Sequence, residues 1–262
     1  MRLHAAGWRS AYHDEVLAAG TAPQDLRSAV SQRLRWAQGT VQVFLRENPL
    51  RVPGLSGGQR MMYLSTMLSY FSGFAAVVYM LAPVLYIFAY VLPVRSFSTD
   101  FLLHLLPYLV LNWLLLLFIG WGRKTWRGQQ YALAFFPVWI RAVLSAAGNV
   151  YFHRPLGFVV TPKTRQAGGV PLRLVWPQLL AFTALGIAAV YGITGLAIGG
   201  RDDELAVLIN SAWIAYNLVL LSVIFPAAFY REEERDDGGS VVPPVPATAD
   251  GQVIARAGAG RL

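Results

Sequence analysis

Gln32-Arg33-Leu34-Arg35-Trp36 places two cations and an indole at helical spacing in a polar, basic segment. Guanidinium forks match phosphate oxygens, and an aromatic face matches the CH face of a pyranose, so the set suits a site that holds a diphosphate and stacks on a sugar. A second stretch, Phe158-Val159-Val160-Thr161-Pro162-Lys163, sets a hydroxyl and an ammonium two residues apart between Gly157 and Gly168-Gly169. Such a loop could fold over an anionic ligand and release it. Each stretch also has a plainer reading. Arg and Trp at the end of an amphipathic helix serve as membrane-interface anchors, and Lys163 fits the excess of cations on cytoplasmic loops.

The elements that must position these residues are membrane helices. Hydrophobic residues make up 55% of the 262, charged residues only 14%, and mean hydropathy is +0.45, well away from ordinary soluble domains. Arg60 and Arg95 bracket 34 uncharged residues, more than the roughly 20 that a bilayer core requires. An amphipathic helix is therefore expected over about 59–70 and a first span over about 72–93. A second span is expected between Asp100 and Arg123, a third between Arg173 and Arg201, and a fourth between Glu204 and Arg231.

Charge decides the ambiguous stretch 128–150, which is apolar but carries Arg141 and Pro137. With four spans and the amino terminus inside, one face holds the basic residues of 1–60, 123–173 and the tail, and the other only Arg95 and Arg201, as the positive-inside tendency requires. The stretch is thus expected as one helix in the cytoplasmic interface, Tyr131 and Trp139 toward headgroups and Arg141 toward water. Residues 231–262 lack periodicity and are expected to be a disordered cytoplasmic tail. The formal charge of +8 reports topology, and no basic stripe with stacking aromatics suggests nucleic acid. There is no cysteine, and His4, His13, His104 and His153 lack ligand spacing, so no protein-bound metal is expected from these residues.

Taken in order, His4 to Tyr12, the Q-x-x-R-W of Gln32 to Trp36, the membrane pattern and the F-x-V-T-x-K of Phe158 to Lys163 resemble the processive family 2 glycosyltransferases of bacterial cellulose synthase type. The resemblance implies that Gln32, Arg35 and Trp36 shape the acceptor site, Trp36 under the terminal sugar, Arg35 near the diphosphate, and Gln32 bonded to the acceptor or the diphosphate. It implies that Phe158, Val160, Thr161 and Lys163 form a gating loop, about 154–169, over the nucleotide.

Departures from the family qualify what the chain can do. The aspartates that hold UDP and Mg2+ or Mn2+, and the T-E-D motif carrying the general base, belong before the stretch matching His4 to Tyr12, and none is found here. The resemblance therefore assigns no catalytic residue to this chain, and the general base is expected upstream of Met1. Asp14, Glu15 and Asp25 stand in the wrong place. Arg231 and Arg235 fit the R-x-x-x-R of a cyclic di-GMP-binding PilZ domain, but three acids lie between them and the second motif is missing.

The expected fold class is an all-α polytopic membrane protein of four transmembrane helices with cytoplasmic interfacial helices. Residues 1–58 would be the end of a GT-A glycosyltransferase domain, cut away in front of Met1, and 59–230 a transmembrane channel region. The expected function is the acceptor-site and channel half of an inverting β-glycosyltransferase that polymerises glucose from UDP-glucose and translocates the glucan, inactive alone, with the divalent cation bound only by the complete enzyme. Expected partners are UDP-sugar, growing glucan, lipid and a periplasmic or other accessory subunit. The expected location is the inner membrane, with both termini cytoplasmic. Two alternatives remain: a synthase for hyaluronan, chitin or another β-glucan, and a non-catalytic channel subunit that partners a separate catalytic chain.

Overall fold

The computed structural model describes residues 1–13, 15, 23, 25–91, 99–120, 125–157 and 172–230. The expected gating-loop residues Phe158, Val160, Thr161 and Lys163 and the tail 231–262 lie outside them. Ten α-helices occur among the described residues: α1 (Arg2–Ala5), α2 (Leu26–Arg46), α3 (Gly57–Leu68), α4 (Ser72–Ala89), α5 (Thr99–Gly120), α6 (Trp126–Ala134), α7 (Phe136–Phe152), α8 (Leu172–Ala197), α9 (Glu204–Leu221) and α10 (Ile224–Phe229). The described part is all-helical, without a strand, so the GT-A remnant expected in 1–58 has no sheet to represent it. At the start of that segment Met1 takes the N-cap position of α1, without a side-chain cap.

Three helical stretches are long and apolar enough to cross a membrane: Gly57–Ala89, Leu172–Ala197 and Glu204–Phe229. The first runs from α3, which carries Arg60 in its first turn, through a 3-10 turn, Ser69–Phe71, into α4. Ser56 starts α3 with a capping box, its hydroxyl accepting from the Gln59 N–H while the Gln59 side chain accepts from the Ser56 N–H. The helix expected between Asp100 and Arg123 is α5, whose described apolar stretch, Leu103–Phe118, is shorter than those three. Its large side chains are mostly exposed, and Trp113 stacks on Trp126 of α6 at 5.8 Å between ring centres.

The stretch expected as one interfacial helix is two. α6 and α7 meet at Phe135 with a 53° bend. Pro137 explains where α7 begins, because proline lacks an N–H and suits a first helical turn. Arg141 is exposed, as expected, whereas Tyr131 and Trp139 turn inward. Trp139 packs edge-on against Tyr70 at 5.5 Å and donates its indole N–H to the Ala132 carbonyl. Tertiary packing has overridden the preference of these rings for an interface.

The core lies where α4, α8 and α9 converge. Met80, Ile87, Leu185, Val207, Ile214 and Leu221 are buried there. Gly192 of α8 permits the approach, since a Cβ at that position would come 2.8 Å from Ile87 Cδ1. A second layer caps one end of this bundle: α2 lies along α7, with Val41 packed on Val143 and Ala146, and α6 lies against α9. Span asparagines are absorbed by their own helix, Asn210 donating to the Ala206 carbonyl and Asn217 to that of Trp213.

Candidate functional site

Helix α2 is built to present its polar side. Asp25 caps it, accepting a 2.6 Å hydrogen bond from the Ser28 N–H, which satisfies an orphan donor of the first turn. That is the role of this carboxylate here. Between Leu26 and Arg46 the helix carries four arginines and no acid, so its field favours anions. At 100° per residue, Gln32, Arg35 and Trp36 share an arc of about 100°, with Gln32 between the other two.

The structure places Gln32 and Arg35 half-buried and Trp36 51% exposed. Arg33, which the Q-x-x-R-W pattern treats as variable, lies with its guanidinium carbon 5.1 Å from the Trp36 ring centre, within cation–π range. It holds the indole from one side. The signal for this was the i, i+3 spacing of Arg33 and Trp36.

Gln32 and Arg33 also line a cavity of about 510 Å³ between α2, the α6–α7 bend and α10. Its walls combine the aromatic rings of Tyr131, Phe135, Trp139 and Tyr230 with small and aliphatic residues such as Leu26 and Ala29, and Asp25 beside Gln32 and Arg33 forms the polar part. Aromatic faces with a few polar groups are the usual means of holding a carbohydrate or another amphiphile. Neither Arg35 nor Trp36 lines this cavity; the structure thus brings one expected residue to it and leaves two on the adjoining face of α2. Tyr131, Phe135, Trp139 and Tyr230 all lie more than 80 positions beyond the end of α2, and no local pattern marks them as its neighbours.

The general base expected upstream of Met1 lies outside the described residues. Met1 and α1 do not line the cavity, and Asp25, the one carboxylate that does, is committed to its helix cap. Among the described residues no three His, Asp or Glu side chains come together as a cation ligand set would. These residues therefore do not fit the divalent cation that the family pattern implies, and no step is routed through one.

Helices long and apolar enough to cross a membrane, with a cationic helix beside a cavity at one end of their bundle, mark a polytopic membrane protein. The sequence signature described as "Cellulose synthase" matches residues 1–170, and the chain belongs to that family. It is 30% identical to the "Cellulose synthase catalytic subunit [UDP-forming]" of Pseudomonas fluorescens, over 97% of this chain and 35% of that protein. It is 26% identical to "Cellulose synthase 1" of Komagataeibacter xylinus, over 97% of this chain and 17% of that protein. A catalytic subunit from Komagataeibacter sucrofermentans is 27% identical over 90% of this chain and 31% of its own length. The chain thus spans about a third or less of the curated relatives it matches.

Proposed function

We propose that this chain forms the acceptor site and membrane channel of a processive inverting β-glycosyltransferase that extends a glucan from UDP-glucose. Family membership supports the glycosyltransferase class, and the observation that carries the acceptor site is α2. Its exposed indole and flanking arginines adjoin a partly aromatic-walled cavity at the end of an apolar bundle. Trp36 stacks on the terminal sugar of the chain and presents its hydroxyl to the anomeric carbon of the donor. The new C–O bond forms as the bond from that carbon to the diphosphate oxygen breaks, and UDP departs. Arg35 offsets the charge developing on the diphosphate, and Gln32 hydrogen-bonds the acceptor. The base that takes the hydroxyl proton is assigned to residues outside the described part of this chain.

In this reading 1–58 is the cytoplasmic acceptor-site segment, 59–230 is the channel and 231–262 is a cytoplasmic tail. Phe158, Val160, Thr161 and Lys163 close over the nucleotide. The protein sits in the inner membrane with both termini cytoplasmic, and its partner is a periplasmic or other accessory subunit.

The test is incorporation of labelled glucose from UDP-glucose by membranes that carry the native protein. Insoluble product should form, dissolve under an endo-β-1,4-glucanase, and fall at least about fivefold with Trp36→Ala at equal protein level, since loss of a stacking aromatic anchor costs about 1–3 kcal/mol or more. Use of UDP-N-acetylglucosamine or UDP-glucuronate in place of UDP-glucose would replace cellulose by a chitin- or hyaluronan-type product. Incorporation insensitive to Trp36→Ala and to Arg35→Ala would overturn the assignment.

A further inference from the structure

Asn149 stands in the last turn of α7 and joins three parts of the molecule. Its side-chain carbonyl oxygen accepts from Gln42 Nε2 at 2.6 Å and from the Arg46 guanidinium at 3.2 Å, both on α2. Its amide nitrogen donates to the backbone carbonyl of Arg154 at 2.8 Å. One turn earlier, Gln38 donates to the Ser145 hydroxyl at 2.8 Å, so positions 38 and 42 of α2 meet 145 and 149 of α7 at matching four-residue spacing.

Where the chain leaves α7 its path is set tightly. His153 closes the helix in the left-handed region at φ +55°, and the Arg154 N–H returns to the Gly148 carbonyl at 3.2 Å. With the bond from Asn149, both backbone groups of Arg154 are held. Asn149 cannot be exchanged freely in this role, because it must accept on one side and donate on the other. No charge or hydrophobic period marks it in the sequence.

We infer that Asn149 is a positioning residue that fixes the exit of the chain at Arg154 relative to α2, the helix that carries Gln32, Arg35 and Trp36. Phe158 follows four residues after that exit. Its effect on turnover rests on the proposed glycosyltransferase reading; its effect on chain position does not.

Asn149→Asp separates the two halves of the junction. The carboxylate still accepts from Gln42 and Arg46 but faces the Arg154 carbonyl with no donor. The full-length protein in native membranes is treated with trypsin, and cleavage at Lys163, Arg165 and Arg173 is timed by mass spectrometry. Asn149→Asp should speed cleavage at these sites about 3- to 10-fold, the loss of roughly one hydrogen bond, with the melting temperature and cleavage elsewhere unchanged. The KM for UDP-glucose should rise by a similar factor with kcat within twofold, and Gln42→Ala, which leaves the bond to Arg154, should speed cleavage less than twofold. Unchanged cleavage in Asn149→Asp, or acceleration throughout the chain with a lowered melting temperature, would overturn the inference. Faster local cleavage in a protein that turns over no UDP-sugar would uphold the positioning role and remove the glycosyltransferase reading instead.

Discussion

Arg201 lies with its guanidinium carbon 4.3 Å from the ring centre of Tyr90. Tyr90 ends α4 in the left-handed conformation at φ +54°, and Arg201 stands in the α8–α9 connection with its side chain 3% exposed. The same guanidinium donates to the Ile87 carbonyl at 2.8 Å and forks onto Asp203 at 2.9 and 2.8 Å. Tyr86 donates its hydroxyl to Asp203 as well. One cation thus ties the end of α4 to the loop that joins the other two core helices.

This clamp should make stability fall in acid. The fork from Arg201 is the main reason that Asp203 is held down to about 2, with the Tyr86 hydroxyl adding to it against the cost of burial. A carboxylate whose folded pKa lies below its unfolded value near 3.9 stabilises fully above about pH 4–5, and the gain is lost as pH falls toward 2. The contribution is on the order of 2 kcal/mol. Thermal unfolding in detergent from pH 7 to pH 3 should show it, with the slope flattened in Asp203→Asn. Asp203→Ala should cost more, about 2–4 kcal/mol at pH 7, because the Arg201 charge is then buried without its partner. A pH profile identical in the wild type and Asp203→Asn would refute the clamp.

Gly73 predicts a packing effect with no charge involved. A Cβ there would lie 2.7 Å from the Phe136 carbonyl oxygen and 2.9 Å from the Trp139 Cβ. Neither atom is the free end of a flexible side chain, so α4 and α7 would have to separate. Gly73→Ala should therefore lower stability by about 1–3 kcal/mol, although alanine is the better helix former. The measurement is the melting temperature in detergent. An increase would mean that α7 does not sit this close to α4.

What the sequence made legible follows from range. Helix limits were readable because charges bracket the apolar runs: Arg60, Asp100, Arg173 and Glu204 lie within a few residues of the ends of α3, α5, α8 and α9. The Q-x-x-R-W set was readable because its members lie on one turn of one helix. The wall formed by Tyr131, Phe135 and Trp139 was not, because an aromatic in an apolar run looks the same whether it faces lipid, core or a cavity. The break at Phe135 was hidden for a related reason: Pro137 fits the start of one helix as well as a kink in another. Arg201 was counted only as one charge on the face with few cations, since Asp203 is its one nearby partner and Tyr86, Ile87 and Tyr90 lie more than 100 positions back.

The stack of Arg33 on Trp36 separates two roles for the indole. If Arg33 serves mainly to orient the ring, Arg33→Ala should leave Trp36 in place but loosen it, reducing polymer formation by about 2- to 5-fold, the value of an exposed cation–π pair. Trp36→Phe should retain more activity than Trp36→Ala, because a smaller ring still offers a stacking face. Intrinsic tryptophan fluorescence is blurred by the eight indoles, so the readout is glucan chain length against KM for the acceptor. Equal activity of Trp36→Phe and Trp36→Ala would exclude stacking as the function of this side chain.

The absence of cysteine makes sidedness directly measurable. Single cysteines at Leu50, Pro155 and Asp202, all exposed, can be probed in sealed cells with a membrane-impermeant maleimide. On the proposed topology, with eight basic residues in 1–60 on one face and Arg95 and Arg201 alone on the other, Leu50 is expected inside and Asp202 outside. Asp202→Cys should label in intact cells and Leu50→Cys only after permeabilisation. Pro155→Cys decides what the bent pair α6–α7 does. If the pair lies along the interface between spans formed by α4 and α5 and by α8 and α9, Pro155→Cys behaves like Leu50→Cys. If the pair crosses, it labels from outside, and Lys163 would then stand on the face opposite Gln32, Arg35 and Trp36. That outcome would remove any common ligand for the two motifs, whereas shared protection of Leu50 and Pro155 leaves both on the side where a nucleotide-sugar is available.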